Sequence, residues 1–203
     1  MHELIPAQIN GKENNIQYDK SFGSQPEALA AFERAYSRIN DPLHWHELTR
    51  VIVARFLLPS DPNLNKYPLI REGNFFRIEI PGPGPKTGDG YDWVKVDRVV
   101  DEKNPRASNE LFGMTLRACS NPERNSDTTA HFFQSLATST FIVRRNYNTV
   151  ISSYHGRNEV PNVHTHSVLG NIRNAYVALG AGAGLSETVW SILIKSFLKC
   201  DEE

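Results

Sequence analysis

Short runs of alternating apolar and polar residues, separated by turns, occupy the middle of the chain and constrain its fold more than any other feature. Two such runs are NFFRIEIP, residues 74–81, and YDWVKVDRVV, residues 91–100. An alternation with a period of two is typical of strands that bury one face. In the second run it places Val94 and Val96 on one side and predicts that Arg98 continues that side.

Four further segments are predicted to be strands because they are rich in β-branched and aromatic residues. They are VIVARFLL (51–58), LFGMTLRAC (111–119), STFIVRR (139–145) and TVISSYH (149–155). The last two flank Asn146-Tyr147-Asn148, which predicts a hairpin turn. Sequential strands with short connections favour an antiparallel sheet.

Helical patterns lie on both sides of this strand region. In SQPEALAAFERAYSRI, residues 24–39, Ser24 is a good N-cap and Glu27 its reciprocal partner. Asp41-Pro42 predicts a short helix over residues 43–48. Two apolar helical patterns, residues 167–179 and 186–199, are separated by GAGAG and predict a helical hairpin.

These patterns predict one domain, residues 1–203, of the α+β class. We expect a curled antiparallel sheet or a small β-barrel of five to six strands, flanked by an N-terminal helix and the C-terminal helical hairpin. The helical part covers residues 24–48, the strands residues 50–155, and the hairpin residues 163–199.

Composition excludes several classes of protein. The 203 residues are 39% hydrophobic with a formal net charge of −1, which indicates a chain that folds and has no overall field to attract nucleic acid. Cys119 and Cys200 have no metal-site or disulfide spacing, so both are expected to be thiols. The N-terminal stretch lacks a signal-peptide pattern and no run is apolar enough to span a membrane, so we expect a soluble, cytoplasmic protein.

HGRNEVPNVHTH, residues 155–166, is the densest polar stretch. His155, Arg157 and Glu159 could act as base, anion clamp and acid, and they are the first candidate ligand-binding residues. The alternative is a polar loop that ends the last strand. Ser153 and His155 share a strand face and could form a dyad, but the sequence identifies no third group to orient the histidine.

Histidine pairs raise the question of a metal site. His164 and His166, His44 and His46, and the single His131 could supply three ligands only if distant segments converged. We interpret these side chains as capping, turn and surface histidines, and we expect no metal and no cofactor.

The stretch PGPGPKTGDG, residues 81–90, predicts a long, stiff loop between two strands. Near its base, Tyr91, Trp93 and Arg77, together with Phe75, could line a recess with aromatic area and a polar handle. Tyr91, Trp93 and Arg77 are therefore the second group of candidate ligand-binding residues. The alternative is that they form the second face of the sheet.

The favoured function is a binding or interaction module without catalysis, because the last helix is unusually apolar and the Pro-Gly loop is long. Its partner would be a protein or a small molecule, not nucleic acid or a membrane, and the last helix could mediate a homo-oligomer. The alternative is a small enzyme, such as a metal-assisted hydrolase, that uses the loop from His155 to His166.

Overall fold

A computed structural model describes residues 4–49, 54–65, 70–79, 85–162 and 185–200. These residues form three α-helices, α1 (Gln25–Ile39), α2 (Trp45–Thr49) and α3 (Leu185–Phe197). A 3₁₀ turn, Pro42–His44, leads into α2. The strands are β1 (Lys12–Ser21), β2 (Arg55–Leu57), β3 (Phe75–Glu79), β4 (Asp92–Glu102), β5 (Asn109–Ala118), β6 (Thr138–Asn146) and β7 (Thr149–Glu159).

All seven strands belong to one antiparallel sheet with the order β1-β7-β6-β5-β4-β3-β2. The predicted α+β class and the curled antiparallel sheet are confirmed. The prediction of five to six strands was too low because β1 was missed. Its sequence, KENNIQYDKS, has only Ile16 and Tyr18 as apolar residues, since one of its faces is exposed along an edge strand.

The sheet is open, so the barrel form of the prediction was wrong. Strands β1 and β2 are its two edges, and within the described chain they do not pair with each other. A closed barrel of about eight strands encloses little more than its own side chains. Here the helices cover one side of the sheet instead, because their apolar faces are buried against it.

The core lies between the helices and one face of the sheet, which we call the inner face. Phe141 of β6 contacts Trp45 of α2 at a ring-centroid distance of 4.7 Å, and Trp45 contacts Phe197 of α3 at 5.7 Å. Helix α1 adds Phe32 and Ile39, both fully buried. The opposite side of the sheet is called the outer face.

Helix α1 begins where the sequence predicted, because the Ser24 Oγ accepts a hydrogen bond from the Glu27 backbone N–H at 3.4 Å. The short second helix and the apolar last helix are also present. The first helix of the predicted C-terminal hairpin, residues 167–179, lies outside the described residues.

Three strand predictions need correction. Strand β7 continues through Glu159, so the HGRNE segment is strand and not the loop that the sequence suggested. A β-bulge between Val96 and Arg98 interrupts β4, so Arg98 does not continue the side of Val96. Strand β2 covers only Arg55–Leu57 of the predicted 51–58 run, of which residues 51–53 lie outside the described chain.

Two general expectations can be compared with the described residues. Cys119 and Cys200 are both free thiols, as predicted. Among the helices of the described chain, none has both the length and the apolar character that crossing a membrane requires.

Candidate functional site

Asn158 divides the polar end of β7 between the two faces of the sheet. Residues at alternate positions of a strand normally share a face, which would group His155, Arg157 and Glu159. Asn158, however, adopts a positive φ of 57°, which breaks this alternation. His155 and Arg157 lie on the outer face, whereas Glu159 lies on the inner face beside Tyr154.

Four polar side chains on the inner face surround Gly156. We call this group, Asn14, Ser139, Tyr154 and Glu159, the Gly156 niche. Asn14 of β1 and Ser139 of β6 are the register partners of Gly156 on its two sides. A Cβ atom at Gly156 would stand 2.3 Å from Glu159 Oε1 and 3.0 Å from the Tyr154 hydroxyl. The two polar groups can therefore converge there only because the position is glycine.

Hydrogen bonds connect three members of the niche. The Tyr154 hydroxyl donates to Glu159 Oε1 at 3.2 Å, and the Ser139 hydroxyl lies 3.3 Å from the Tyr154 oxygen. Because the Tyr154 proton points to the carboxylate, Ser139 is the donor in the second contact.

Three members of the niche are buried, and one of these has a donor with no acceptor among the described residues. Asn14 is 5% exposed and Glu159 is 7% exposed. The Asn14 Nδ2 group is buried and makes no hydrogen bond within the described chain. An unpaired buried donor costs about 1–3 kcal/mol, which a ligand that supplies an acceptor would recover.

An aromatic wall stands next to the niche. The Tyr154 ring is stacked on Trp190 of α3 with a centroid distance of 5.0 Å and an interplanar angle of 16°. Phe141 contacts both rings at 5.3 Å. Apolar area with a few convergent polar groups is the usual composition of a small-molecule site.

On the outer face, Ser153, His155 and Asn15 form a chain of hydrogen bonds that we call the His155 relay. His155 Nε2 lies 3.1 Å from the Ser153 hydroxyl, and His155 Nδ1 lies 2.8 Å from Asn15 Oδ1. Asn15, on the neighbouring edge strand β1, is the third group that the sequence did not identify. Burial, followed by the Arg157 and Arg144 cations, lowers the pKa of His155 to about 4.

Arg77, Tyr91 and Trp93 lie together on the outer face, far along the sheet from β7. Arg77 is the register partner of Trp93, and its guanidinium lies 4.8 Å from the Tyr91 ring centroid. The Trp93 indole is buried and donates to the Gly88 carbonyl at 3.2 Å. Strands β5 and β6 separate this group, which lies on β3 and β4, from His155 and Arg157 on β7, so the six candidate residues do not form one site.

The other histidines have separate surroundings. His44 Nδ1 lies 2.6 Å from Asp41 Oδ2, and His46 Nε2 lies 3.8 Å from Glu47. His131 stacks on Phe132 at 4.3 Å, and burial lowers its pKa to about 3. No three His, Cys, Asp or Glu side chains of the described residues group as metal ligands, and residues 163–166, with His164 and His166, lie outside that part of the chain.

Two polar residues on the inner face were missed. Asp92 is 1% exposed, and burial raises its pKa to about 7, although the Phe132 N–H, which donates at 2.7 Å, opposes this shift. Asp92 alternates with Val94 and Val96 along β4. An acidic residue at a position where the alternation predicts an apolar one was therefore the sequence signal that could have identified it. Asn14 alternates in the same way with Ile16, but β1 was not recognised as a strand.

No protein-family model and no curated protein matches the chain. Solved structures do align with it. Protein Ms6760 from Mycobacterium smegmatis is 12% identical, with 90% of this chain on 87% of that chain and a TM-score of 0.39. Norcoclaurine synthase from Thalictrum flavum, in complex with dopamine and hydroxybenzaldehyde, is 10% identical, with coverages of 95% and 90% and a TM-score of 0.39. Ara h 8.0201 is 10% identical, with coverages of 92% and 99% and a TM-score of 0.35.

Proposed function

We propose that this protein is a small-molecule binding module and that its ligand binds in the Gly156 niche, against the ring of Trp190. The observation that carries this proposal is the buried, unpaired Asn14 Nδ2 group in the same row as Gly156 and Ser139. A buried donor of this kind is rare in folded proteins and calls for an explanation. A bound ligand with an acceptor oxygen supplies one.

The chemistry of the niche favours one class of ligand. An ionised Glu159 carboxylate accepts hydrogen bonds and attracts a cation, while Asn14 Nδ2 donates to an oxygen. The ring of Trp190, which is half-buried, attracts both flat apolar groups and ammonium groups. The proposed ligand is therefore an aromatic amine that carries a hydroxyl or carbonyl oxygen close to its ammonium group.

Two probes of the same skeleton test this proposal. We expect 2-amino-1-phenylethanol to bind more tightly than 1-phenylethane-1,2-diol, in which a hydroxyl replaces the ammonium group. A charged hydrogen bond contributes about 1.5–3 kcal/mol, which corresponds to roughly 10-fold or more in affinity. Calorimetric titration gives the affinities, and a change in tryptophan emission on binding reports on Trp190, because its ring is stacked on Tyr154 beside the niche.

Three variants separate the roles of the residues. Glu159→Gln is expected to abolish the preference for the amine, whereas Asn14→Ala is expected to weaken both probes equally. His155→Gln, on the outer face, serves as the control and should bind like the wild type. If neither probe binds, or if the amine preference survives in Glu159→Gln, the proposed site is wrong.

The prediction of an interaction module relied on the apolar surface of the last helix, and part of that surface is not accessible to a partner. Leu193, Ile194 and Phe197 of α3 are buried within the chain, where they pack in its own core. A homo-oligomer through the last helix, a cytoplasmic location and the lack of nucleic-acid binding remain predictions from the sequence.

A further inference from the structure

We propose that Ser153 is a nucleophile, activated by His155, that accepts an acyl group from small activated esters. This activity lies on the outer face and does not depend on the Gly156 niche. It rests on the geometry of the His155 relay and on the orientation that the surrounding groups impose on it.

The orientation of Asn15 is fixed by its two charged neighbours. Arg157 can only donate hydrogen bonds, and its Nη2 lies 2.8 Å from Asn15 Oδ1. Glu13, when ionised, can only accept them, and its Oε1 lies 2.8 Å from Asn15 Nδ2. The amide oxygen therefore faces His155, and it cannot be exchanged with the nitrogen without the loss of both contacts.

This orientation determines the tautomer of His155. Asn15 Oδ1 is an acceptor, so His155 Nδ1 carries the proton and donates to it at 2.8 Å. The other nitrogen, Nε2, then has a free lone pair and accepts from the Ser153 hydroxyl at 3.1 Å. A nucleophile, a base and a group that orients the base are thus connected in the order that nucleophilic catalysis requires.

Burial keeps the imidazole in the form that can accept the proton. His155 is neutral at pH 7, since its pKa is lowered to about 4. Arg157 is held in place by further bonds to the carbonyls of Gly156 and Asn14, at 2.7 and 3.2 Å. The relay is consequently ordered before any ester binds.

The proposed step is a transfer of one acyl group. Ser153 Oγ forms a bond to the carbonyl carbon, its proton passes to His155 Nε2, and the bond from that carbon to the leaving oxygen breaks. The leaving group departs as an alcohol or phenol once it has taken up a proton. Water can then attack the acyl-serine and release a carboxylic acid. Because Ser153 is only 6% exposed, the acyl group must be small.

The test uses p-nitrophenyl acetate and the full chain at pH 7. We expect a burst of p-nitrophenolate and one acetyl group on the peptide that contains Ser153, measured by mass spectrometry. Ser153→Ala should remove this label, and His155→Gln should slow its formation about 100-fold, within the range that a positioned general base contributes. Labels only on lysines or the N-terminus, or equal labelling of Ser153 in His155→Gln, would overturn the proposal.

Asn15 is a positioning residue, and its test is a pH profile. In the wild type, the rate of Ser153 acetylation should rise around pH 4 and level off below neutrality. A carboxylate beside the imidazole raises the histidine pKa, so Asn15→Asp should move this midpoint upward by about one pH unit or more. An unchanged midpoint would contradict the relay, and this readout remains decisive if His155→Gln fails to fold.

Two control variants complete the design. His44→Gln removes an exposed histidine that contacts Asp41 but has no serine partner in the described chain. Ser21→Ala removes an exposed serine hydroxyl whose partner is the Thr149 hydroxyl. Acetylation of Ser153 should be unchanged in both, and slowing in either would show that the label does not report on the relay.

Discussion

A single residue, Asn158, decides which face of the sheet carries Glu159. Its positive φ of 57° is tolerated better by asparagine than by most other residues. The side chain also holds the N-terminal segment on the sheet, because its Oδ1 accepts from the Ile9 and Asn10 N–H groups at 2.7 and 3.1 Å. Its Nδ2 donates to the Ala7 carbonyl at 3.1 Å.

We expect Asn158→Ala to lower the free energy of unfolding by about 3 kcal/mol, since both the hydrogen bonds and the tolerance of positive φ are lost. Asn158→Gly restores the backbone tolerance and should cost only about 2 kcal/mol. Urea denaturation measures both values. If Gly and Ala cost the same, the backbone conformation contributes nothing, and the hydrogen bonds account for the whole effect.

At the scale of secondary structure, helix α3 is fixed at its C-terminal end by a residue of another helix. The Arg38 Nη1 group donates to the carbonyls of Ser196, Phe197 and Lys199 at 3.1, 3.1 and 2.6 Å. The last carbonyls of a helix lack partners within the helix, and they carry partial negative charge. Arg38 therefore ends α3 and joins it to α1.

Removing this cap should destabilise the protein. We expect Arg38→Ala to lower the free energy of unfolding by about 2 kcal/mol, as for the loss of hydrogen bonds from a charged donor. Lys195→Ala, which removes an exposed cation of the same helix, should change it by less than about 0.5 kcal/mol. Thermal or urea denaturation measures both changes. If Arg38→Ala and Lys195→Ala destabilised the protein equally, the charge of Arg38 would matter and its hydrogen bonds to α3 would not.

For the whole molecule, the dependence of stability on pH is set by buried groups with opposite effects. The folded-state pKa of Asp92 is raised from 3.8 to about 7, so between these values the folded chain binds more protons than the unfolded one. Stability from Asp92 is therefore present at low pH and is lost as the pH rises through 7. His131 and His155 have lowered pKa values of about 3 and 4, so each contributes stability that is lost as the pH falls towards those values.

The contribution of Asp92 can be isolated with Asp92→Asn, which keeps an acceptor for the Phe132 N–H. We expect the variant to gain stability over the wild type as the pH rises from 4 to 8, by up to about 4 kcal/mol. Because the histidines are present in both chains, their effects cancel in the difference. Asp127→Asn, at an exposed position, controls for the change in net charge. Parallel stability curves for Asp92→Asn and the wild type would contradict the raised pKa.

Local patterns in the sequence predicted an element correctly where particular residue types are characteristic of a helix end or a turn. Ser24 and Glu27 predicted the start of α1, and Asn146-Tyr147-Asn148 predicted the hairpin between β6 and β7. Strand β1 was missed because its polar residues lie on an exposed edge. The alternation that identifies a strand is weak when only Ile16 and Tyr18 are apolar.

Local sequence patterns were enough to predict the class of the fold, the positions of most strands and helices, and the polar character of the end of β7. The grouping of the polar residues at that end depends on contacts that exist only in the folded chain. The niche and the relay each combine β7 with β1, about 140 residues earlier in the chain, through a strand pairing that no local pattern encodes. The positive φ of Asn158 then places neighbouring side chains on opposite faces, since it interrupts the two-residue alternation of the strand.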